Sequence, residues 1–584
     1  MRRAFLAVVI ASMCACTQHA AQAPANGGQS TDARVKAAAD TFLEAFFDRS
    51  PEAVTQFGVP GRHHDRLTDN SLTALKVWED REDAMLRDLV QIDLAQITNR
   101  SLRATYAITR EALESDAAKR ICRDELWPVS QMTGWQINFG YLVTIQPVGT
   151  DEARREALAR WAQLPKYIDT EIGNLREGVR LGYTAPKLNV RIVIAQVRTL
   201  ASTPLKDSPF GSLAQRDKSP EFQKAFADLV SRQITPAFKR YADFLEHEYL
   251  PAARDAIGVS ANPDGAKCYE ASVRYFSSVA KTAADVHETG ERENARIAAD
   301  MHAIDERSFH VGDIRQLLDR ARTDPKFRFK SREDKIAYSQ AALARAKAAI
   351  PDWFGLLPKA DVVIQPYPAF REKNAPNEYN PPAEDGSRPA VFFISAYEAE
   401  KQSRVEDEST AFHETIPGHH LQGAIALERR EIHPIGRYLF NSGYAEGWAL
   451  YAERLADEMK LYSSDLDRLG MLSSQGLRAS RLVVDSGIHA LGWTRQQAID
   501  YMLAHTAERP HDIESEVDRY IIYPGQATSY MIGRLEIDEA RRGAEKTLGS
   551  KFSIKDFHDR VLEDGGVPIS YLREKIRAWA EASR

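Results

Sequence analysis

Four residues able to bind a metal or move a proton stand within the stretch His413-Glu414-Thr415-Ile416-Pro417-Gly418-His419-His420. In the zinc-hydrolase pattern H-E-x-x-H, two imidazoles one helical turn apart hold the metal. The glutamate between them works on a water. In this chain the later histidines come two and three residues beyond that spacing, with Pro417-Gly418 in the gap. Adjacent helical residues point about 100° apart. Glu414 therefore lies beside a metal held by His413, where a base takes a proton from metal-bound water.

On a straight helix His419 falls about 240° around from His413. His420 lies on nearly the same face but roughly 10 Å along the axis. Bonds of about 2 Å cannot span that distance to one ion. Pro417 removes a backbone donor and Gly418 tolerates distortion. Widened, π-like turns would carry His419 to the second ligand position. His420 is the alternative ligand, and otherwise a residue behind the ligands or facing substrate. A catalytic zinc takes a third protein ligand, and Glu446, in Tyr444-Ala445-Glu446-Gly447-Trp448-Ala449-Leu450-Tyr451, is the candidate. Glu453, seven residues on, is placed to support a ligand. Both are also ordinary helix glutamates, although Trp448 and Tyr451 suggest a buried segment.

Amide hydrolysis creates an oxyanion that Tyr, His or Gln donors stabilise. His489 sits in the apolar helix around Gly487-Ile488-His489-Ala490, and Tyr523, Gln526 and Tyr530 surround a Pro-Gly turn. Taken alone, each is more often core or turn chemistry. Arg388 and Arg519 are candidates for holding a substrate carboxylate, against the commoner use of arginine in surface ion pairs.

These residues need positioning elements. Helical periodicity marks 35–47, 72–97, 102–118, 154–181, 221–249, 283–304 and 335–349, then 445–459, 474–491, 496–507, 527–548 and 570–582. Two short β-branched or aromatic runs, Val362-Val363-Ile364 and Val391-Phe392-Phe393-Ile394, predict a small sheet with a long connection just before the His413 motif. Its edge offers a track for an extended peptide or is a plain structural hairpin. No linker divides the body and no fixed repeat runs through it, so the expectation is one large helical domain over 33–584, with room for two lobes.

The N-terminus reads differently. Arg2 and Arg3 precede an apolar run, Ala4 to Met13, too short to span a membrane. Ala15-Cys16 then predicts a lipoprotein-type signal over 1–15, with Cys16 lipidated, although Met13 stands where Leu is usual. Cleavage near Ala20 to Ala23 is the alternative. Residues 16–32 read as a flexible tether. In an exported chain Cys122 and Cys268, the two body cysteines, are expected to pair, the alternative being two buried, unpaired thiols. With 43% apolar and 27% charged residues, a net charge of −6 and a pI near 6.2, the chain is globular and lacks a nucleic-acid-binding footprint. Membrane contact is expected only through the anchor.

HETIPGHHLQ at 413–422, YAEGWALY at 444–451, GIHALGWT at 487–494 and YPGQATSYMIG at 523–533 together resemble family 885 of the domains of unknown function. These bacterial proteins, often lipoproteins, stand near the gluzincin zinc metallopeptidases. The resemblance covers most of the mature chain and is strongest from Asp361 to Gly566. It implies a mainly helical fold with a deep central cleft, similar to the angiotensin-converting-enzyme, thimet-oligopeptidase and thermostable-carboxypeptidase groups. It implies His413, Glu446 and one of the paired histidines as zinc ligands, Glu414 as base, and Tyr523 to Tyr530 as a transition-state segment. The expected activity is zinc-dependent hydrolysis of short peptides in the periplasm, with carboxypeptidase or dipeptidyl-carboxypeptidase action by fold analogy. The alternatives are a metal-dependent amidase on a non-peptide substrate and a binding lipoprotein with a structural or vestigial metal site.

Overall fold

The computed structural model describes residues 30–367, 377–382 and 389–584. Cys16, Arg388 and the tether through residue 29 lie outside the described residues. The described residues form a mainly helical body with one small sheet. The first helix, Thr31–Arg49, starts within the segment expected to be tether. The Ser30 hydroxyl caps it by accepting from the Ala33 amide at 3.2 Å.

Most helices lie where periodicity places them, and the differences have local causes. The span expected as one helix over 154–181 is two, Asp151–Trp161 and Leu164–Leu181, with Pro165 in the first turn of the second. Asp465–Ala490 begins well before its apolar stripe predicts. Almost every side chain along it is buried, so no polar face marks its period. It packs lengthwise on Ala283–Ile304. A second pair, Ser442–Glu458 and Ser529–Leu548, is in backbone contact: a Cβ on Gly447 would lie 2.5 Å from the Gly533 carbonyl carbon. No described helix is long and apolar enough to cross a membrane.

The sheet contains β1 (Val362–Pro366), β2 (Glu378–Asn380) and β3 (Ala390–Ile394), in the order β1-β3-β2. β1 and β3 pair in parallel, with Val362 opposite Ala390. They are therefore not a hairpin, because parallel neighbours need a crossover. β2 lies within the expected connection and pairs antiparallel with β3, leaving it on the sheet's edge. Cys122 and Cys268 form a disulfide with their Cα atoms 4.7 Å apart.

Candidate metal centre

The helix Asp407–Glu414 stops at Thr415, and a second helix, His419–Glu428, starts after a short turn. The expected widened helix is thus a break, with a cis Ile416–Pro417 peptide inside it. Pro417 has no N–H to continue the ladder. Its carbonyl instead accepts from the indole Nε1 of buried Trp448 at 3.0 Å. The Gly418 amide turns back to the Phe412 carbonyl at 3.0 Å. A Cβ on Gly418 would sit 1.9 Å from the His413 carbonyl oxygen, so this return needs glycine.

The break brings His419 to His413. Their rings lie 4.8 Å apart, nearly perpendicular at 88°. Glu446, one turn into Ser442–Glu458, points between them. Its Oε2 lies 3.6 Å from His413 Nε2 and 3.3 Å from His419 Nε2. One ligand atom from each residue falls within 4.8 Å of the other two. Tetrahedral zinc with bonds of about 2.0–2.1 Å sets its ligand atoms roughly 3.3 Å apart. The donor set therefore fits a zinc-like ion of two imidazoles and one carboxylate.

The surroundings suit a cation as well. His413 Nδ1 donates to Glu453 Oε1 at 2.8 Å, which turns Nε2 toward the shared point. Glu453 is fully buried, and its other oxygen accepts from Gln475 Nε2 at 3.2 Å. Burial alone would push the His413 imidazole down, but Glu446 and Glu453 hold it at about 9. Burial would likewise raise Glu446, yet the two histidines hold it well below the usual carboxylate range. His419 and Glu446 keep about a fifth of their side chains exposed, so the point opens outward.

Glu414 follows His413 directly and is partly exposed. Among the described residues it has no hydrogen-bond or ion-pair partner. Burial, and next the charge of Glu414, push the Tyr379 phenol upward, and the Tyr379 hydroxyl of β2 bonds His420, the chain neighbour of His419. The sheet edge thus meets the candidate centre.

Several expected site residues have other tasks. His420 is fully buried. Its Nδ1 accepts from the Tyr379 hydroxyl at 3.0 Å and its Nε2 donates to the Ala360 carbonyl at 3.1 Å. Neither nitrogen remains for substrate or metal, and burial holds the ring neutral with a pKa near 4. The expected substrate-facing role of His420 is corrected to a brace between helix and sheet. His489 is corrected in the same way. Its Nδ1 accepts from the Val259 amide at 3.0 Å, its Nε2 donates to the Tyr520 carbonyl at 2.9 Å, and burial lowers it to about 3. Arg519 donates to Glu516 at 3.2 Å and to Gln526, so these two residues hold each other rather than standing open to a substrate.

The two tyrosines separate. Tyr530 stacks under the guanidinium of Arg481 at 4.5 Å, with Arg478 at 5.8 Å. Tyr523 leans edge-on against Phe276 at 5.1 Å. Burial would raise Glu453, but the His413 hydrogen bond and the charge of Arg478 hold it low. Sequence reasoning missed Arg478 and Arg481, because arginines on an almost wholly buried helix carry no motif. Tyr379 and Gln475 were missed for the same lack of a local signal.

A family model described as "Bacterial protein of unknown function (DUF885)" matches residues 51–576. No curated protein matches the chain. Two solved structures share the fold. One is "the putative lipoprotein from Colwellia psychrerythraea", at 24% identity and a TM-score of 0.87, covering 95% of this chain and 100% of that one. The other is "a putative lipoprotein of unknown function from Shewanella oneidensis", at 18% identity and a TM-score of 0.75, covering 92% and 98%.

Proposed function

The chain belongs to this DUF885 family of bacterial proteins, and we propose that it is an exported, zinc-dependent peptidase acting on short peptides. The observation that carries this reading is the convergence of His413 Nε2, His419 Nε2 and Glu446 Oε2, with Glu453 behind His413 and Glu414 beside it. A purely structural zinc site is closed by four protein ligands, and it has no use for an adjacent unpaired carboxylate.

His413, His419 and Glu446 would hold the ion, and Glu453 fixes the His413 tautomer. Zinc bound there would polarise the scissile carbonyl and lower the pKa of a water. Glu414 would take a proton from the attacking water and pass it to the leaving amine. Tyr530 and Tyr523 are the candidate donors to the developing oxyanion, Tyr530 having its ring fixed by Arg481. The edge strand β2 offers its backbone to an extended substrate next to Glu414. A deep cleft like that of the angiotensin-converting-enzyme, thimet-oligopeptidase and thermostable-carboxypeptidase groups belongs to this proposal. So does lipid anchoring at Cys16, which the names of the two structural relatives favour.

The test combines metal analysis with a peptide-library digest of wild type and Glu414→Gln. The expected result is about one zinc per chain in both proteins and peptide cleavage by wild type only. Loss of the general base costs at least about a hundredfold. A metal-free wild type, or a fully active Glu414→Gln, would sink the proposal. Cleavage confined to non-peptide amides would make the protein an amidase.

A further inference from the structure

Ser442 stands one turn before Glu446 on the same helix, about 6 Å along its axis. It lines a cavity of about 390 Å³ that also takes in Asn441 and Tyr523. A space of that size accepts one large side chain or a small ligand. Its walls are aromatic: Phe46, Phe57, Tyr275, Phe276, Tyr438 and Phe440 all face it. Two of these, Phe57 and Phe440, are 44% and 39% exposed, which is unusual for side chains of their size and marks the open rim.

An aromatic pocket alone would suit any apolar group, but this one carries acid. Glu111 and Asp116 line it, and no lysine or arginine is among its described lining residues. The surrounding cations offset only part of that charge: Arg110 pairs with Glu114 at 2.7 Å, and burial raises both Asp116 and its neighbour Glu82. Arg274 is divided between Glu111 and Glu114, at 3.2 Å from each. Arg120 is divided between Glu82 and Asp83, and Lys119 pairs with Asp124. Glu111 Oε1 is buried and has no hydrogen-bond partner, so it is an acceptor awaiting a donor. Aromatic faces attract cations through their negative quadrupole, and a carboxylate at the end of such a pocket adds a charged partner.

We infer that this cavity is a side-chain pocket for a cationic residue, so that the substrates are peptides carrying arginine or lysine beside the cleaved bond. The apolar stem of such a residue lies along the rings, and its charged head reaches Glu111 and Asp116. Asn441 and Ser442 place the pocket at the N-terminal end of the helix that carries Glu446. The peptide part of this inference rests on the proposed peptidase reading, whereas the pocket's preference for a cation does not.

The experiment measures direct binding of N-acetyl-arginine amide, N-acetyl-norleucine amide and N-acetyl-phenylalanine amide to the purified full chain by calorimetry. The same peptides are then compared as substrates with the corresponding residue varied. The arginine probe should bind roughly tenfold more tightly than norleucine. Glu111→Gln should abolish that preference while leaving metal content unchanged. Phe440→Ala, at an exposed rim, should weaken arginine binding without threatening the fold. Equal or tighter binding of norleucine or phenylalanine, no binding of any probe, or an unchanged preference in Glu111→Gln would overturn the inference. Arginine binding without any peptide hydrolysis would overturn the peptidase reading and leave the pocket standing. Hydrolysis indifferent to basic residues, with no arginine binding, would do the reverse.

Discussion

At the scale of single residues, the chemistry depends on which nitrogen is left free. His413 and His420 are both buried histidines of one motif, yet only His413 keeps a nitrogen unspent. The difference lies in their partners, not in their spacing. His413 has a carboxylate on Nδ1, whereas His420 has a hydroxyl and a carbonyl on its two sides. Metal content should therefore collapse in His419→Ala and largely survive in His420→Ala, as read by elemental analysis of folded protein. Metal retained in His419→Ala and lost in His420→Ala would exchange the two assignments. Glu453→Gln tests the residue behind His413. Its amide oxygen can still accept from Nδ1, but the negative charge is gone. Metal affinity should fall about 10–100-fold, the usual cost of losing such a partner. Chelator competition measures this, and an unchanged affinity would reduce Glu453 to packing. The grouping of His413, His419 and Glu446 was legible in the sequence because few residue types can hold a metal. The neutral state of His489 was not legible, since its two partners, Val259 and Tyr520, lie far away in the chain.

At the scale of elements, amphipathic helices were legible and the ligand turn was not. A helix such as Ala283–Ile304 shows its buried stripe and its Thr282 capping box in the local sequence. The turn between the two histidine-bearing helices depends on Trp448, on another helix, bonding the Pro417 carbonyl. Pro417 and Gly418 announced a disturbance, but only that distant indole decides its form. The Asp465 start of the long buried helix was hidden for a related reason: a helix covered on every side has no polar face to betray its period. The turn yields a prediction of its own. Gly418→Ala would drive a methyl to within 1.9 Å of the His413 carbonyl oxygen and 2.5 Å of that of Phe412. Both are backbone atoms and cannot rotate away. The turn must open, so His419 should leave the ligand position. The expected outcome is loss of most bound metal with helical circular dichroism largely retained. Full metal occupancy in Gly418→Ala would show that the turn has slack which this geometry does not suggest.

At the scale of the whole molecule, the disulfide joins elements that contribute no residue to the candidate metal centre. Cys122 follows the helix Arg100–Lys119, which carries Glu111 and Asp116, and Cys268 lies in Gly265–Ser277, which carries Tyr275 and Phe276. The bond thus fastens two walls of the aromatic cavity together. The candidate ligands come from later helices that carry neither cysteine, although one of them, Ser442–Glu458, packs on the Cys268 helix, where a Cβ on Gly443 would lie 2.8 Å from the Ser277 carbonyl oxygen. Its ends are 146 residues apart, and opening a loop of that length releases much chain entropy in the unfolded state. The usual cost of losing a native disulfide is about 2–5 kcal/mol. Cys122→Ala with Cys268→Ala should therefore unfold at lower denaturant than wild type. Folded molecules should still hold a full complement of metal, because none of the candidate donors moves. Arginine-probe binding should suffer more than metal binding, since the pocket walls lose their tie. Denaturant titration, elemental analysis and calorimetry on the same preparation separate these effects. If metal were lost in step with stability, the centre and the disulfide would belong to one cooperative unit, and the division drawn between pocket frame and ligand frame would be wrong.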